Sequence, residues 1–379
     1  MMKVPLKTLA LSLFLCSLAT GCGEKAHREV NDSVRTVTDT LPKESDLTLP
    51  ALRMADSILK GMSRDEKIAQ LIMPALYASD DIFTIRAVKK YGERGFGGIV
   101  LLKGTGSSAS LLADTLRKFS KTIPFLAIDA EWGLGMRLSD EPVYPFNSEI
   151  ADTVSEEDMY RYGRAVGEQC RNIGINMVLG PVVDVAERSS FMGKRSYGPD
   201  PRRVSDLSVA YARGLESESV ISVAKHFPGH GSAKDSHHAK PIVRRTLSEM
   251  DSVDLYPFRK YIASGLSAVM VGHIAVPALD PDLQPAAVSH AVITGLLLDD
   301  LGFKGLILTD AMNMGGAEGK GADKAIAAGA DIILAPESTS REILLINEAM
   351  QRGDITDERI DSSVRKILFY KALMLLRKR

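Results

Sequence analysis

Eight short apolar runs recur along the chain at intervals that a helix can fill, and this alternation constrains the fold more than any other feature. The runs are "IAQLIM" (68 to 73), "GGIVLL" (97 to 102), "FLAI" (125 to 128), "INMVL" (175 to 179), "VISVA" (220 to 224), "SAVMV" (267 to 271), "GLILT" (305 to 309) and "DIILA" (331 to 335). Between them lie stretches such as "SASLLADTLRKFSK" and "RVSDLSVAYARGLES", with apolar residues three and four apart and polar capping residues near their starts. Strands that are apolar throughout are buried on both faces, which predicts a parallel sheet with helical crossovers. Residues 51 to 379 therefore read as one α/β domain, a (β/α)8 TIM-type barrel; a doubly wound open sheet gives the same local pattern. The placement of polar residues favours the barrel. Asp129, Lys225 with His226, His273 and Asp310 all follow directly on apolar runs, and in a closed barrel such strand ends face one cavity.

With 45% hydrophobic and 25% charged residues, the 379-residue chain can bury a large core. Its 47 basic and 48 acidic residues nearly cancel, and no Lys/Arg run tracks a phosphate backbone, so nucleic acid is not an expected partner. The first residues read differently. Lys3 and Lys7 precede "LALSLFLCSLAT", too short for a permanent span but suited to a signal peptide over residues 1 to 21. It ends in "LATGC", which resembles the lipobox of bacterial lipoproteins and makes Cys22 the expected lipidated residue; a plain secretory signal is the alternative. Residues 22 to 50 are polar and mixed in charge, a flexible tether with a reach on the order of 30 Å. A membrane-anchored monomer of the cell envelope is the expectation. Cys170 is then the one remaining thiol, so no intramolecular disulfide is expected.

Four of the seven histidines, His226, His230, His237 and His238, fall within "AKHFPGHGSAKDSHHAKP" (224 to 241). A metal site, satisfied core side chains and a substrate-gripping loop compete as explanations. His226 and His230 have helical ligand spacing, but Pro228, Gly229 and Gly231 break a helix, so no metal is expected. Dense glycine and proline suit a shaped loop that closely approaches a ligand. Asp235 lies two residues before His237, an offset that lets a carboxylate orient an imidazole for proton transfer. Asp310 and Asp129 read equally as helix caps or as chemical groups, and Asp184 leans further towards a cap.

"KHFPGHG", then "DSH", then "TDAMNM" on a later strand end together resemble glycoside hydrolase family 3, of the single-domain β-N-acetylglucosaminidase type. "IDAEWGLGMRL", "GPVVDV", "GKRSYGPDP", "PALDP" and "GFKGLILTDAM" extend the likeness from about residue 55 to the end. The resemblance implies a barrel and a retaining mechanism without a cofactor. By it Asp310 is the nucleophile, His237 the acid/base with Asp235 as its partner, and Asp129, Arg137, Arg195, Lys225 and His226 bind the sugar. The implied substrate is a glycan with terminal GlcNAc, such as a peptidoglycan fragment. A family 3 β-glucosidase, a GlcNAc phosphorylase and a non-catalytic glycan-binding lipoprotein are the alternatives. Three stretches depart from the family pattern: the shortened "SAK" before "DSH", Trp132 in "IDAEWG", and the "AMNM" context after Asp310.

Overall fold

A computed structural model describes residues 44 to 233, 241 to 314, 317 and 321 to 377. The expected signal peptide, Cys22, Asp235 and His237 lie outside the described residues. Helix α1 (Glu44–Lys60) begins inside the stretch read as a tether, and α2 (Arg64–Gln70) follows after a short turn. Ser63 caps α2: its Oγ accepts from the Glu66 amide, and its own amide donates to Glu66 Oε2 at 2.9 Å. This capping box draws Ile68 to Gln70 into the end of a helix, so the first strand, expected from residue 68, starts only at β1 (Ile72–Met73). Pro74 separates β1 from β2 (Ala75–Ala78).

The alternation expected for the rest of the chain follows. Helix α3 (Ile82–Arg94) leads to β3 (Gly98–Gly104), α4 (Gly106–Phe119) to β4 (Phe125–Ile128), and the short α5 (Asn147–Ile150) with α6 (Glu156–Ile173) to β5 (Met177–Val178). Helix α7 (Pro201–Ser217) precedes β6 (Ile221–Phe227), α8 (Leu247–Ser252) and α9 (Leu255–Ala263) precede β7 (Ala268–Val271), and a π-helix (Ala291–Asp300) precedes β8 (Leu306–Thr309). Helix α10 (Ala322–Ala328), β9 (Ile333–Leu334), α11 (Thr339–Arg352) and α12 (Asp357–Arg377) complete the described chain. Local chemistry sets the boundaries. Helix α6 opens with a Ser155–Asp158 capping box and three acidic residues in its first turn, and stops at Gly174, whose φ of 97° a β-carbon would disfavour.

Strands β2 to β8 form one curled parallel sheet in sequential order, and β1 and β9 form a separate parallel pair. Register pairs Ala75 with Val100, Val100 with Ala127, Ala127 with Met177, Met177 with Ile221, and Ala268 with both Val223 and Leu306. The hydrogen bonds thus draw seven strands and a pair rather than one uniform eight-stranded ladder. Pro74 has no N–H to give, and β8 meets the pair through the Leu308 to Ile332 bridge, with the Thr309 amide on the Ile332 carbonyl and the Ile332 amide on the Ile307 carbonyl. The strands other than β2, where Tyr77 is exposed, are buried almost throughout, and α1 packs on α12 through Leu47, Ala51, Ala372 and Leu373. No helix among the described residues is long and apolar enough to cross a membrane.

At the N-terminal edge of the sheet, Lys371 of α12 is buried and donates to Gln70 Oε1 at 2.7 Å, with its ammonium 5.1 Å from the centre of the Phe125 ring. No carboxylate among the described residues pairs with it, and burial pushes the amine from 10.5 down to about 7. Between those values the folded chain holds Lys371 uncharged while the unfolded chain protonates it. Stability therefore rises with pH from about 7 towards 10.5 and is flat below 7. Lys371→Met is expected to stabilise the chain at pH 7 by roughly 2 kcal/mol and to flatten this rise. Chemical denaturation at pH 7 and pH 10 checks it, and an unchanged pH dependence would refute the assignment.

Candidate active site

The C-terminal strand ends surround a cavity of about 220 Å³. Asp129, Arg137, Arg195, Lys225, His226 and Asp310, all singled out from the sequence, line it together. Asp129 follows β4, Lys225 and His226 lie within β6, and Asp310 follows β8. The Lys225–His226 peptide is cis, and both side chains reach the cavity. Val100, Leu102, Leu179, Met270 and Leu334 supply apolar walls.

The polar side is one chain of ion pairs. The Lys225 ammonium donates to Asp129 Oδ1 at 2.6 Å and lies 2.8 Å from Glu131 Oε1. Arg195 holds Glu131 with two bonds, Nη2 to Oε1 at 2.6 Å and Nε to Oε2 at 2.9 Å, and Arg137 donates to Asp129 Oδ2. Burial alone would raise the Asp129 and Glu131 carboxyls. The opposing charges of Lys225 and Arg137 on Asp129, and of Arg195 and Lys225 on Glu131, instead hold both below the usual carboxylate range. Burial alone would lower Lys225 and Arg195, and their carboxylates raise both. Every cation in this chain already faces a carboxylate, so the cavity offers interleaved donors and acceptors rather than a free positive charge. That suits a neutral ligand bearing hydroxyls.

Asp310 differs from these carboxylates, because among the described residues no lysine or arginine forms an ion pair with it. Its Oδ1 accepts from the Ala311 amide at 2.8 Å, and the neighbouring Ala311 carbonyl accepts from His273 Nε2 at 3.1 Å. Burial raises the Asp310 carboxyl, but His226, His273, the Ala311 amide and Lys225 outweigh it and bring the group below its ordinary value. An ionised carboxylate at neutral pH, lining a cavity and without an ion-pair partner among the described residues, is equipped to act as a nucleophile.

Sequence reasoning left two members of the network without a role. Glu131 stands two residues after Asp129, the offset that puts side chains on one side of an extended segment, so alternation within "IDAE" was the signal. Asp184 leans towards a cap in the sequence, yet it accepts from His226 Nδ1 at 2.7 Å and from the His230 amide at 2.7 Å. The glycine next to His230 is required by packing, because a β-carbon on Gly231 would sit 1.9 Å from the Val185 carbonyl oxygen. Among the described residues, no group of three or more His, Cys, Asp or Glu is arranged to hold a metal.

Replacing Glu131 by Gln leaves Lys225 and Arg195 buried with less compensation, at an expected cost of roughly 3 kcal/mol. The folded Asp129 and Glu131 carboxyls lie below their ordinary values, so the stability they confer is complete above about pH 4.5 and lost as pH falls below it. Acid denaturation of Glu131→Gln should accordingly show a shallower loss than the parent chain. An equal loss would remove Glu131 from the network's energetics.

Residues 63 to 369 match the glycosyl hydrolase family 3 N terminal domain. The chain is 30% identical over 334 residues to a beta-N-acetylglucosaminidase/beta-glucosidase of Cellulomonas fimi, a match covering 83% of this chain and 58% of that protein. It is 34% identical over 241 residues to a beta-hexosaminidase of Pseudomonas aeruginosa, covering 61% of this chain and 71% of that one. In structure it is similar to a glycoside hydrolase family 3 beta-N-acetylglucosaminidase from a Paenibacillus species, with a TM-score of 0.76 and 32% identity over 83% of this chain and 63% of the other. With its cavity, ion-pair chain and Asp310 at the C-terminal edge of a curled parallel sheet, this chain belongs to glycosyl hydrolase family 3.

Proposed function

We propose that this chain is a retaining exo-β-N-acetylglucosaminidase that removes terminal β-linked GlcNAc from peptidoglycan fragments or related glycans. The observation that carries the reading is the Asp310 carboxylate, ionised and without an ion-pair partner among the described residues, in a small cavity whose other charges are paired. The activities named for the relatives support it. On this reading an Asp310 oxygen attacks the anomeric carbon as the bond to the aglycone oxygen breaks. His237, backed by Asp235, gives that oxygen its proton. The resulting glycosyl ester is opened by water, which loses its proton to His237 as the ester bond breaks and Asp310 returns to a carboxylate. Asp129, Arg137, Arg195, Lys225 and His226 hold the sugar hydroxyls meanwhile.

The same reading completes the sheet as an eight-stranded barrel, with β1 and β2 as one strand interrupted at Pro74 and β9 as the eighth. The Leu308 to Ile332 bridge and the Ile72 to Ile333 register support that closure. It also places the domain on a tether from lipidated Cys22, as a monomer in the cell envelope.

Hydrolysis of p-nitrophenyl β-N-acetylglucosaminide by residues 23 to 379 tests the activity, with the β-glucoside as control. Asp310→Ala should lower turnover by several powers of ten while the fold persists. More than a few per cent residual activity would reject the nucleophile, and a preference for the glucoside would reject the substrate class. His237→Ala should slow poor leaving groups strongly and activated aryl groups less, because the latter need little protonation. Equal losses on both would count against His237 as the acid.

A further inference from the structure

Asp184 is fully buried behind the cavity wall, and no arginine or lysine among the described residues forms an ion pair with it. Its carboxylate instead gathers three donors from the end of β6 and the loop that follows it. The amides of His226 and His230 converge on Oδ1 at 3.3 and 2.7 Å, and His226 Nδ1 meets Oδ2 at 2.7 Å. Burial raises this carboxyl, but His226 and the His230 contacts bring it below its ordinary value. A carboxylate can only accept, so Nδ1 of His226 carries a hydrogen. The other ring nitrogen, Nε2, lies 3.5 Å from Arg195 Nη2, and a guanidinium can only donate. Both ends of the ring therefore require the same arrangement.

We infer that Asp184 is a positioning residue that fixes His226 with its hydrogen on Nδ1 and so presents an acceptor, Nε2, to the cavity. The inference rests on the proposed reading for its consequence, since a sugar hydroxyl would take over the Nε2 lone pair from the long 3.5 Å contact with Arg195 Nη2, while Lys225 and Arg195 donate to oxygens nearby. A ligand alkylated at that hydroxyl would then be refused. The two backbone amides on Oδ1 make the arrangement directional. An amide at position 184 would keep its oxygen on those N–H groups and turn its NH2 towards His226 Nδ1. The ring would have to accept there and move its hydrogen to Nε2, facing the N–H of Arg195.

The test is the ring ¹⁵N chemical shifts of histidine-labelled full chain at neutral pH, read beside the affinity for N-acetylglucosamine. The parent chain should show His226 protonated at Nδ1 and bare at Nε2. Asp184→Asn should show the reverse and bind N-acetylglucosamine about tenfold to a hundredfold more weakly. Asp184→Glu, which keeps a carboxylate, should keep the parent tautomer. A parent ring protonated at Nε2 or at both nitrogens would overturn the inference, as would an Asn variant whose tautomer or affinity does not change. The parent measurement needs no variant to fold. It also stands apart from the proposed activity, because a chain that turns over no hexosaminide would still reveal where the His226 hydrogen sits.

Discussion

The site is organised by the need to neutralise one buried ammonium. Lys225 lies in the middle of the buried β6, and an unpaired charge there would cost several kcal/mol. It recruits Asp129 and Glu131; Glu131 in turn requires Arg195, and Asp129 requires Arg137. Arg195 lies on the loop after β5, where its carbonyl accepts from Asn147 and the next residue, Ser196, donates to the Asp184 carbonyl. One buried charge thus ties the loops after β4 and β5 to strand β6. Positions that look independent in the sequence are consequences of a single electrostatic demand.

That demand also separates the reactive group from its neighbours. Asp129 and Glu131 are committed to cations and Asp184 to His226, so their lone pairs are engaged in holding the cavity's shape. Asp310 receives one backbone N–H and the field of nearby groups, enough to keep it ionised while leaving an oxygen for chemistry. A preorganised cavity needs this division of labour, because a nucleophile locked in an ion pair would have to break it in every turnover.

Much of this was legible in the sequence because it depends on local patterns. Seven of the eight strand positions, and the gathering of Asp129, Lys225, His226 and Asp310 at one edge, follow from apolar runs that end in polar residues. The first strand was misplaced because the Ser63–Glu66 capping box is a stronger local signal than the apolar character of Ile68 and Ala69. The expected boundary at residue 50 missed α1 because its buried face, Leu47 and Ala51, is completed only by Ala372 and Leu373, more than three hundred residues away. The partners of Glu131 and Asp184 were hidden for the same reason, since an ion pair across two strand ends leaves no periodic trace. The roles of Arg137 and Arg195 came from family resemblance, and no local rule would have picked them out.

Buried polar groups at the two edges of the sheet show how structure sorts what sequence cannot. At the N-terminal edge, Asp331 is buried with Lys366 at 2.7 Å and the Ser363 hydroxyl at 2.6 Å, and it also accepts the Ile307 amide, so its bonds close inward on the strands and α12. Lys371, at that same edge, points into the Gln70 and Phe125 packing and does not line the cavity. These groups fasten the last helix to the underside of the sheet. At the C-terminal edge the same residue types are paired laterally, from Arg137 through Asp129, Lys225 and Glu131 to Arg195, and Asp129, Arg137, Arg195 and Lys225 line the cavity beside Asp310. Buried lysines and carboxylates occur at both edges. The direction in which the bonds close is what makes one edge a fastening and the other a site.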